Sequence, residues 1–529
     1  MVTVRLNFII LFLKSPGLIF KFSFSILFFT FYASKAQFYN LPNDYSFSLL
    51  TERGLAVKDS SVHSSVKPYI PFYSGKYKHI ADTHAVFKFI TEDPFLDRVF
   101  RTHLILVNSQ EKKFNLKVDP LLNFEVGRDT EDTLQRRLYT NTRGFIASGT
   151  IGKDFYFETL LAENQSIFPN YIEAYNRATG IVPGQGRWKT FKTRGFDYAF
   201  SSGFFSYQPC RNINIQAGHG KQKIGHGYRS LFLSDNAFNY PYVRITQQYF
   251  KGRLQYTNIY ASLMNLISSS EKVVPNTERL FQKKAASFQH LSINFAKWFN
   301  LGFFQGMIWQ VGDKNNVQHF EWQYFNPVIY TNLGFYGLNN KNNILAGAEL
   351  NLKITNKISI YAQAIADDLS NTRVVGNGFG YQAVIKYFDA FKVKNLFLQA
   401  EYNEVSESAY TSPITDTSNQ SYSHYNQNIA YAPGNGKELT GILDYKFKRI
   451  CFNARYSYQS VTFLNKEFYN NQYVNLRLGY TINPAYNANI SIGLLYRMQD
   501  YFAAGAPDNK TAYVYLSFKT SLFNSYYDF

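Results

Sequence analysis

Cysteine is nearly absent from this 529-residue chain, which has only Cys210 and Cys451. A disulfide-stapled fold is therefore excluded, and Cys210–Cys451 is the single pair that could form. Charge is sparse as well: 17% of residues are charged, where a soluble domain has about 25%. Acids are the scarcer sign, with 37 Asp+Glu against 55 Lys+Arg. Long apolar runs are missing beyond the first 36 residues, and mean hydropathy is −0.27. That excludes a polytopic helical membrane protein, whose spans each need about 20 apolar residues. Aromatics, by contrast, are plentiful, with 50 Phe, 42 Tyr and 4 Trp. Such a chain is not intrinsically disordered.

Residues 1–36 contain Arg5, Lys14, Lys21 and Lys35 but no acid. An apolar run from Phe22 to Ala33 precedes Ser34-Lys35-Ala36, which puts small residues at −3 and −1. This is the pattern of a secretory signal peptide, with cleavage expected before Gln37. Without residues 1–36 the chain has 51 Lys+Arg against 37 Asp+Glu, a balance of +14. Export turns that basic balance away from nucleic acid and toward anionic lipid headgroups or acidic polysaccharide.

From about residue 112 onward the dominant signal is two-residue alternation. Ile344, Ala346, Ala348, Leu350, Leu352 and Ile354 form one face, and Gly347, Glu349, Asn351 and Lys353 the other. Thr355-Asn356 then separates this segment from a second one, beginning at Ile358. Phe452, Ala454, Tyr456 and Tyr458 likewise oppose Asn453, Arg455, Ser457 and Gln459. A tilted membrane strand needs about 9–11 residues, and these segments are that long or longer. Their polar face carries Glu349, Lys353, Arg455 and Arg477, full charges that a dry sandwich core would not tolerate. Eighteen segments of this kind can be counted. Their connections alternate long and short, as in an outer-membrane barrel with external loops and short periplasmic turns. The expected fold is thus all-β, a transmembrane antiparallel barrel over 112–529. Residues 37–111 read as a small periplasmic or plug segment with short helices, one of them capped by Asp93-Pro94. The loop 464–472 is expected to be long, and the Ser/Tyr/Asn/Thr-rich loop 406–437 to be external and mobile.

Motifs for chemistry are weak. Gly218-His219-Gly220-Lys221 lacks the glycine spacing and the Ser/Thr of a phosphate loop. His219, His226 and Asp235 offer two imidazoles and one carboxylate without a fixed metal-site spacing. Asp367-Asp368 falls at a strand-to-loop junction, where carboxylates are usually solvated. Neither a Gly-x-Ser-x-Gly elbow nor a His-Glu-x-x-His helix occurs. No catalytic residue, cofactor or metal is expected, so the chain reads as a non-enzymatic protein.

One stretch is more particular. Gly218-His219-Gly220-Lys221 through Gly225-His226-Gly227-Tyr228-Arg229-Ser230-Leu231-Phe232-Leu233-Ser234-Asp235-Asn236-Ala237 leads into Tyr240-Pro241-Tyr242. It resembles the segment ending in Leu-Ser-Asp-Asn-Ala of Wzi-type capsule-assembly barrels, and more closely the RemB-type outer-membrane proteins of gliding bacteria. Phe168-Pro169-Asn170-Tyr171, Val182-Pro183-Gly184-Gln185-Gly186-Arg187 and Tyr324-Phe325-Asn326-Pro327 fit the same group. The resemblance implies an eighteen-stranded barrel in the outer membrane of a Gram-negative bacterium. It also implies a surface role, in gliding and adhesion or in exopolysaccharide and capsule handling. The partners it implies are outer-membrane lipid and lipopolysaccharide, acidic exopolysaccharide, and other surface or secretion-system proteins; nucleic acid is not among them.

Basic and aromatic side chains on external loops are the candidates for holding an acidic glycan: Arg187, Trp188, Lys189, Lys221 and Arg229. Guanidinium forks match uronate carboxylates, and aromatic faces stack on sugar rings. The competing reading is that Arg187 and Arg229 pin their loops to carboxylates of the barrel wall. A porin-like diffusion channel is the functional alternative, and a surface enzyme a more distant one.

Overall fold

The structure is a computed structural model. It describes residues 45–58, 61–69, 93–109, 113–268, 280–311, 322–336, 342–367, 378–411, 420–463, 466–501, 509–520 and 524–529. The signal-peptide reading of residues 1–36 lies outside these, as does Asp368.

Eighteen long antiparallel strands close one barrel, from Phe114–Asp129 to Asn509–Lys519. The last strand pairs with the first, placing Tyr513 opposite Asp129 and Lys519 opposite Asn123. Two short pieces add to the wall. Lys189–Phe191 pairs with the strand Gly195–Cys210, and Ile105–Ser109 continues the edge of the first strand past its last contact with the eighteenth. Closure satisfies every strand edge, which matters because an unpaired backbone polar group in hydrocarbon costs several kcal/mol.

Alternation becomes two environments. Along Ala488–Tyr501, Ile490, Ile492, Leu494 and Tyr496 are exposed on the outer face, while Asn489, Ser491, Leu495 and Arg497 are buried inside. The tight turns lie at one end, and several contain left-handed residues that let the chain reverse, among them Gly152 (φ 67°), Lys448 (φ 54°) and Asn487 (φ 50°). The expected long loop at 464–472 is not there. Pairing between Ile450–Phe463 and Lys466–Asn483 runs to Phe463 opposite Lys466, with one register shift beside Val461. The polar run Asn470-Asn471-Gln472 hides the alternation, yet Asn471 faces inward and bonds Gln459.

The hydrophobic core lies in the lumen. Residues 221–239, which follow the strand Ile213–Gly220, turn inward, and Leu231, Phe232 and Leu233 are fully buried. Phe232 stacks on Phe304 of the wall at 4.7 Å and 3°. Tyr422 and Tyr410 pack in the same cluster, and their hydroxyls donate to the carbonyls of Phe232 and Leu231 at 2.7 and 2.8 Å. The described parts of the loop 406–437, residues 406–411 and 420–437, therefore depart from the expectation of an external piece. Their polar residues satisfy buried backbone groups, and Tyr422, Ile429, Ala430 and Tyr431 are fully buried.

Residues 45–58 and 61–69 also enter the lumen. Helix α1 (Tyr45–Leu55) places Glu52 on Lys386 of the wall (2.7 Å) and on Lys67 (2.8 Å). Val66–Lys67 pairs antiparallel with Lys223–Ile224 of the inward-turned loop. Helix α2 (Pro94–Phe100) is capped by Asp93, whose carboxylate accepts from the Phe95 and Leu96 amides. Helix α3 (Asn170–Thr179) lies on the long-loop side.

Candidate functional site

The lumen-filling loop is held by charge. Arg229 is 2% exposed and donates from Nη2 to Glu438 Oε1 at 2.8 Å, while its Nε reaches Oε2 at 3.1 Å. Its backbone amide and that of Tyr228 both donate to Glu401, at 2.9 and 2.6 Å. Asp528, from the chain's last residues, stands 3.2 Å from the same guanidinium and 2.8 Å from the Tyr228 hydroxyl. Burial alone would raise the Asp528 carboxyl, but Arg229 and Arg455 beside it hold it below its usual range.

Residues 524–529 thus thread back into the barrel. Tyr526 donates to Asp235 at 2.7 Å and Asn524 donates to the same carboxylate at 2.8 Å. Burial pushes Asp235 up, but Lys223 and Lys221 with these hydrogen bonds bring it below the usual carboxylate range. Lys223 is itself pushed down by burial to about 8, and its ammonium donates to the Tyr228 carbonyl at 3.0 Å. Phe529 packs on Tyr171 and Tyr175 of α3, which ties the tail to the long-loop end.

The five glycan candidates separate in space. Arg187 and Lys189 are exposed on the long-loop side, and the Arg187 guanidinium lies over Phe281 at 4.8 Å. Trp188 is half-buried, with its indole N–H on the Asn176 carbonyl (2.9 Å) and its ring edge-on to Phe196. Arg177 of α3 covers Trp188 at 5.9 Å and Phe196 at 5.3 Å. Lys221 sits deeper, its ammonium on the Gly184 carbonyl at 2.8 Å. Arg229 is inside the lumen, engaged with the wall carboxylate Glu438. Arg187, Trp188 and Lys189, joined by Arg177, form one outer-rim surface; Lys221 and Arg229 belong to the interior.

Arg177 was missed in the sequence because it lies on a helix within a loop. A signal for the inward turn did exist. Leu231-Phe232-Leu233 is an apolar triplet that a solvated loop has no reason to carry.

His219, His226 and Asp235 do not converge on a metal site; among the described residues no group of three or more metal-ligating side chains is found. His226 is buried against Tyr361, and burial pushes its imidazole down to about 3. Asp367 accepts the Tyr410 amide at 2.6 Å. Cys210 and Cys451 are both free thiols.

Among the described residues, the inserted segments pack against the inner wall. Wall side chains that face inward, such as Gln216, Gln363 and Glu438, are buried, with Gln363 and Glu438 bonded to the inserted loop.

No protein-family profile matches this chain, and no curated protein does. Among solved structures it is similar to Escherichia coli Wzi, described as a carbohydrate-binding β-barrel of the outer membrane involved in group 1 capsule assembly. That likeness has a TM-score of 0.55 at 14% identity and covers 92% of this chain and 100% of the other. Pseudomonas aeruginosa OpdK (TM-score 0.44, 10% identity, 76% of this chain and 98% of the other) and a BenF-like porin from Pseudomonas fluorescens (0.43, 11%, 78% and 99%) are more distant. The chain has a Wzi-like barrel fold, the fold of an outer-membrane protein.

Proposed function

We propose that this protein is a non-enzymatic outer-membrane barrel that holds an acidic exopolysaccharide at the cell surface. One observation carries the reading. The long-loop rim presents Arg187, Lys189 and Arg177 beside Trp188 and Phe281, with two of these cations lying on aromatic faces. Guanidinium groups fork onto carboxylates, and rings stack on sugars, so the surface suits an anionic glycan better than a neutral one. Wzi, with the same fold, is described as carbohydrate-binding. The resemblance of Gly218–Ala237 to RemB-type proteins makes gliding adhesion the cellular setting we favour. An open porin is disfavoured, because loop 221–239, residues 45–58 and 61–69, and the tail 524–529 occupy the lumen.

The test is a double variant, Arg187→Ala with Lys189→Ala. It is expected to leave the barrel folded and to reduce capture of the cell's own acidic polysaccharide at least about tenfold, as the loss of two charge-assisted contacts requires. Unchanged capture by the folded variant overturns the assignment of this rim.

A further inference from the structure

Of the inward charges that alternation marks in the sequence, Glu349, Lys353 and Arg455 are engaged by the inserted segments. Glu349 accepts from Ser65 at 2.9 Å, Lys353 donates to the Leu55 carbonyl at 2.6 Å, and Arg455 lies 3.7 Å from Asp528. Arg477 is the exception. No hydrogen bond or ion pair holds it among the described residues; its charge faces the buried Glu125 carboxylate across a cleft of about 280 Å³ left between the tail and the wall.

This cleft has a closed and an open end. Its roof is Phe168, Ile172, Gln185, Tyr228 and Tyr526, all buried. At the other end Asn453, Asn475, Arg477 and Lys519 are only half-buried, toward the short-turn side of the barrel. Solvent therefore reaches the cleft from the periplasmic side. Within it, Tyr513 and Tyr515 stack at 5.3 Å, and Tyr513 donates to Glu125 at 3.0 Å. Asn123 adds a buried Oδ1 that accepts no hydrogen bond. A guanidinium whose N–H donors are unused, an orphan acceptor and a tyrosine pair in a pyranose-sized space form a set of groups that would receive one carboxylate, one hydroxyl and one sugar face.

We propose that the cleft is a second, periplasm-facing site that takes a single uronic-acid residue, its carboxylate on Arg477 and a ring hydroxyl donating to Asn123. The proposal rests on the glycan reading for its ligand class, but on different residues and on the opposite side of the membrane.

The experiment is calorimetric titration of the detergent-solubilised full chain with D-glucuronate, and with D-glucose as the neutral control. Saturable binding of glucuronate at least about tenfold tighter than glucose is expected, because the charge-assisted bond is available only to the acid. Arg477→Gln should remove that preference. Asn123→Leu, which keeps every charge, should weaken the acid and the neutral sugar alike. The rim variant Arg187→Ala/Lys189→Ala should titrate as wild type, so failure of the rim reading and failure of this one are separable. Absence of saturable glucuronate binding to the wild-type barrel, or equal binding by Arg477→Gln, overturns the proposal.

Discussion

Arg229 of the inward-turned loop and Glu438 of the wall form a buried, two-point ion pair, with Nη2 2.8 Å and Nε 3.1 Å from the two carboxylate oxygens. Both side chains are sealed from solvent, so neither charge can be left alone cheaply. Glu438→Gln should therefore cost about 3–5 kcal/mol of loop docking while the eighteen-stranded wall persists. The expected result is new protease cleavage within 221–239 and new ion conductance in planar bilayers. A variant as protease-resistant and silent as wild type would show that the pair does not hold the loop.

Gly347 marks the contact point of the loop with the wall. A Cβ there would overlap the Phe232 ring. Gly347→Val is expected to push Phe232 off its stack on Phe304 and to cost about 1–3 kcal/mol, as overpacking does. A drop in thermal stability together with faster hydrogen exchange at Leu231–Leu233 checks this. Unaltered exchange there contradicts it.

Acid should loosen the lumen. His63 donates from Nε2 to the Gly252 carbonyl (2.9 Å) and shares a hydrogen bond between Nδ1 and the Ser292 hydroxyl (2.8 Å), and burial pushes it down to about 4 from 6.5. His226 is likewise pushed down to about 3. When undocked, both imidazoles take up protons below pH 6.5, and the docked state does not follow. Docking is therefore full above pH 6.5 and weakens as pH falls toward about 4, by up to about 1.4 kcal/mol per pH unit for each histidine. Protection factors of residues 61–69 and 222–230, corrected for the slower intrinsic exchange in acid, should fall between pH 7.5 and 5. Equal protection at both values would place the two histidines elsewhere.

The outer face answers to lipid. Ile492 is 54% exposed in the middle of the strand Ala488–Tyr501. Ile492→Arg should cost about 2–4 kcal/mol of barrel stability in a bilayer. The neighbouring inward position Ser491 should tolerate Ala far better. Denaturant titrations in liposomes separate the two, and equal costs would contradict the assignment of faces.

The barrel was legible because a membrane wall imposes alternation on every strand, as at Ile344–Ile354, and because loops and turns sort to opposite ends. The plug was not. Residues 221–239 and 524–529 have no period to read, and their burial depends on partners far away in sequence, such as Arg229 with Glu438 and Asp235 with Tyr526. The long loop expected at 464–472 vanished because an inward Asn471 looks the same in sequence as a solvated one. The placement of the candidate site residues was only partly legible. Composition pointed to Arg187-Trp188-Lys189, but it could not distinguish that rim from Arg229, which has similar neighbours and a wholly internal role.

The central claim is that the outer rim holds an acidic polymer. Its most direct measurement is binding of the solubilised barrel to the cell's purified exopolysaccharide across salt concentration. The account predicts binding that weakens steeply as salt rises, because exposed charges more than about 10 Å apart are screened at 0.1 M. Absence of binding at low salt, or binding indifferent to salt, would contradict it.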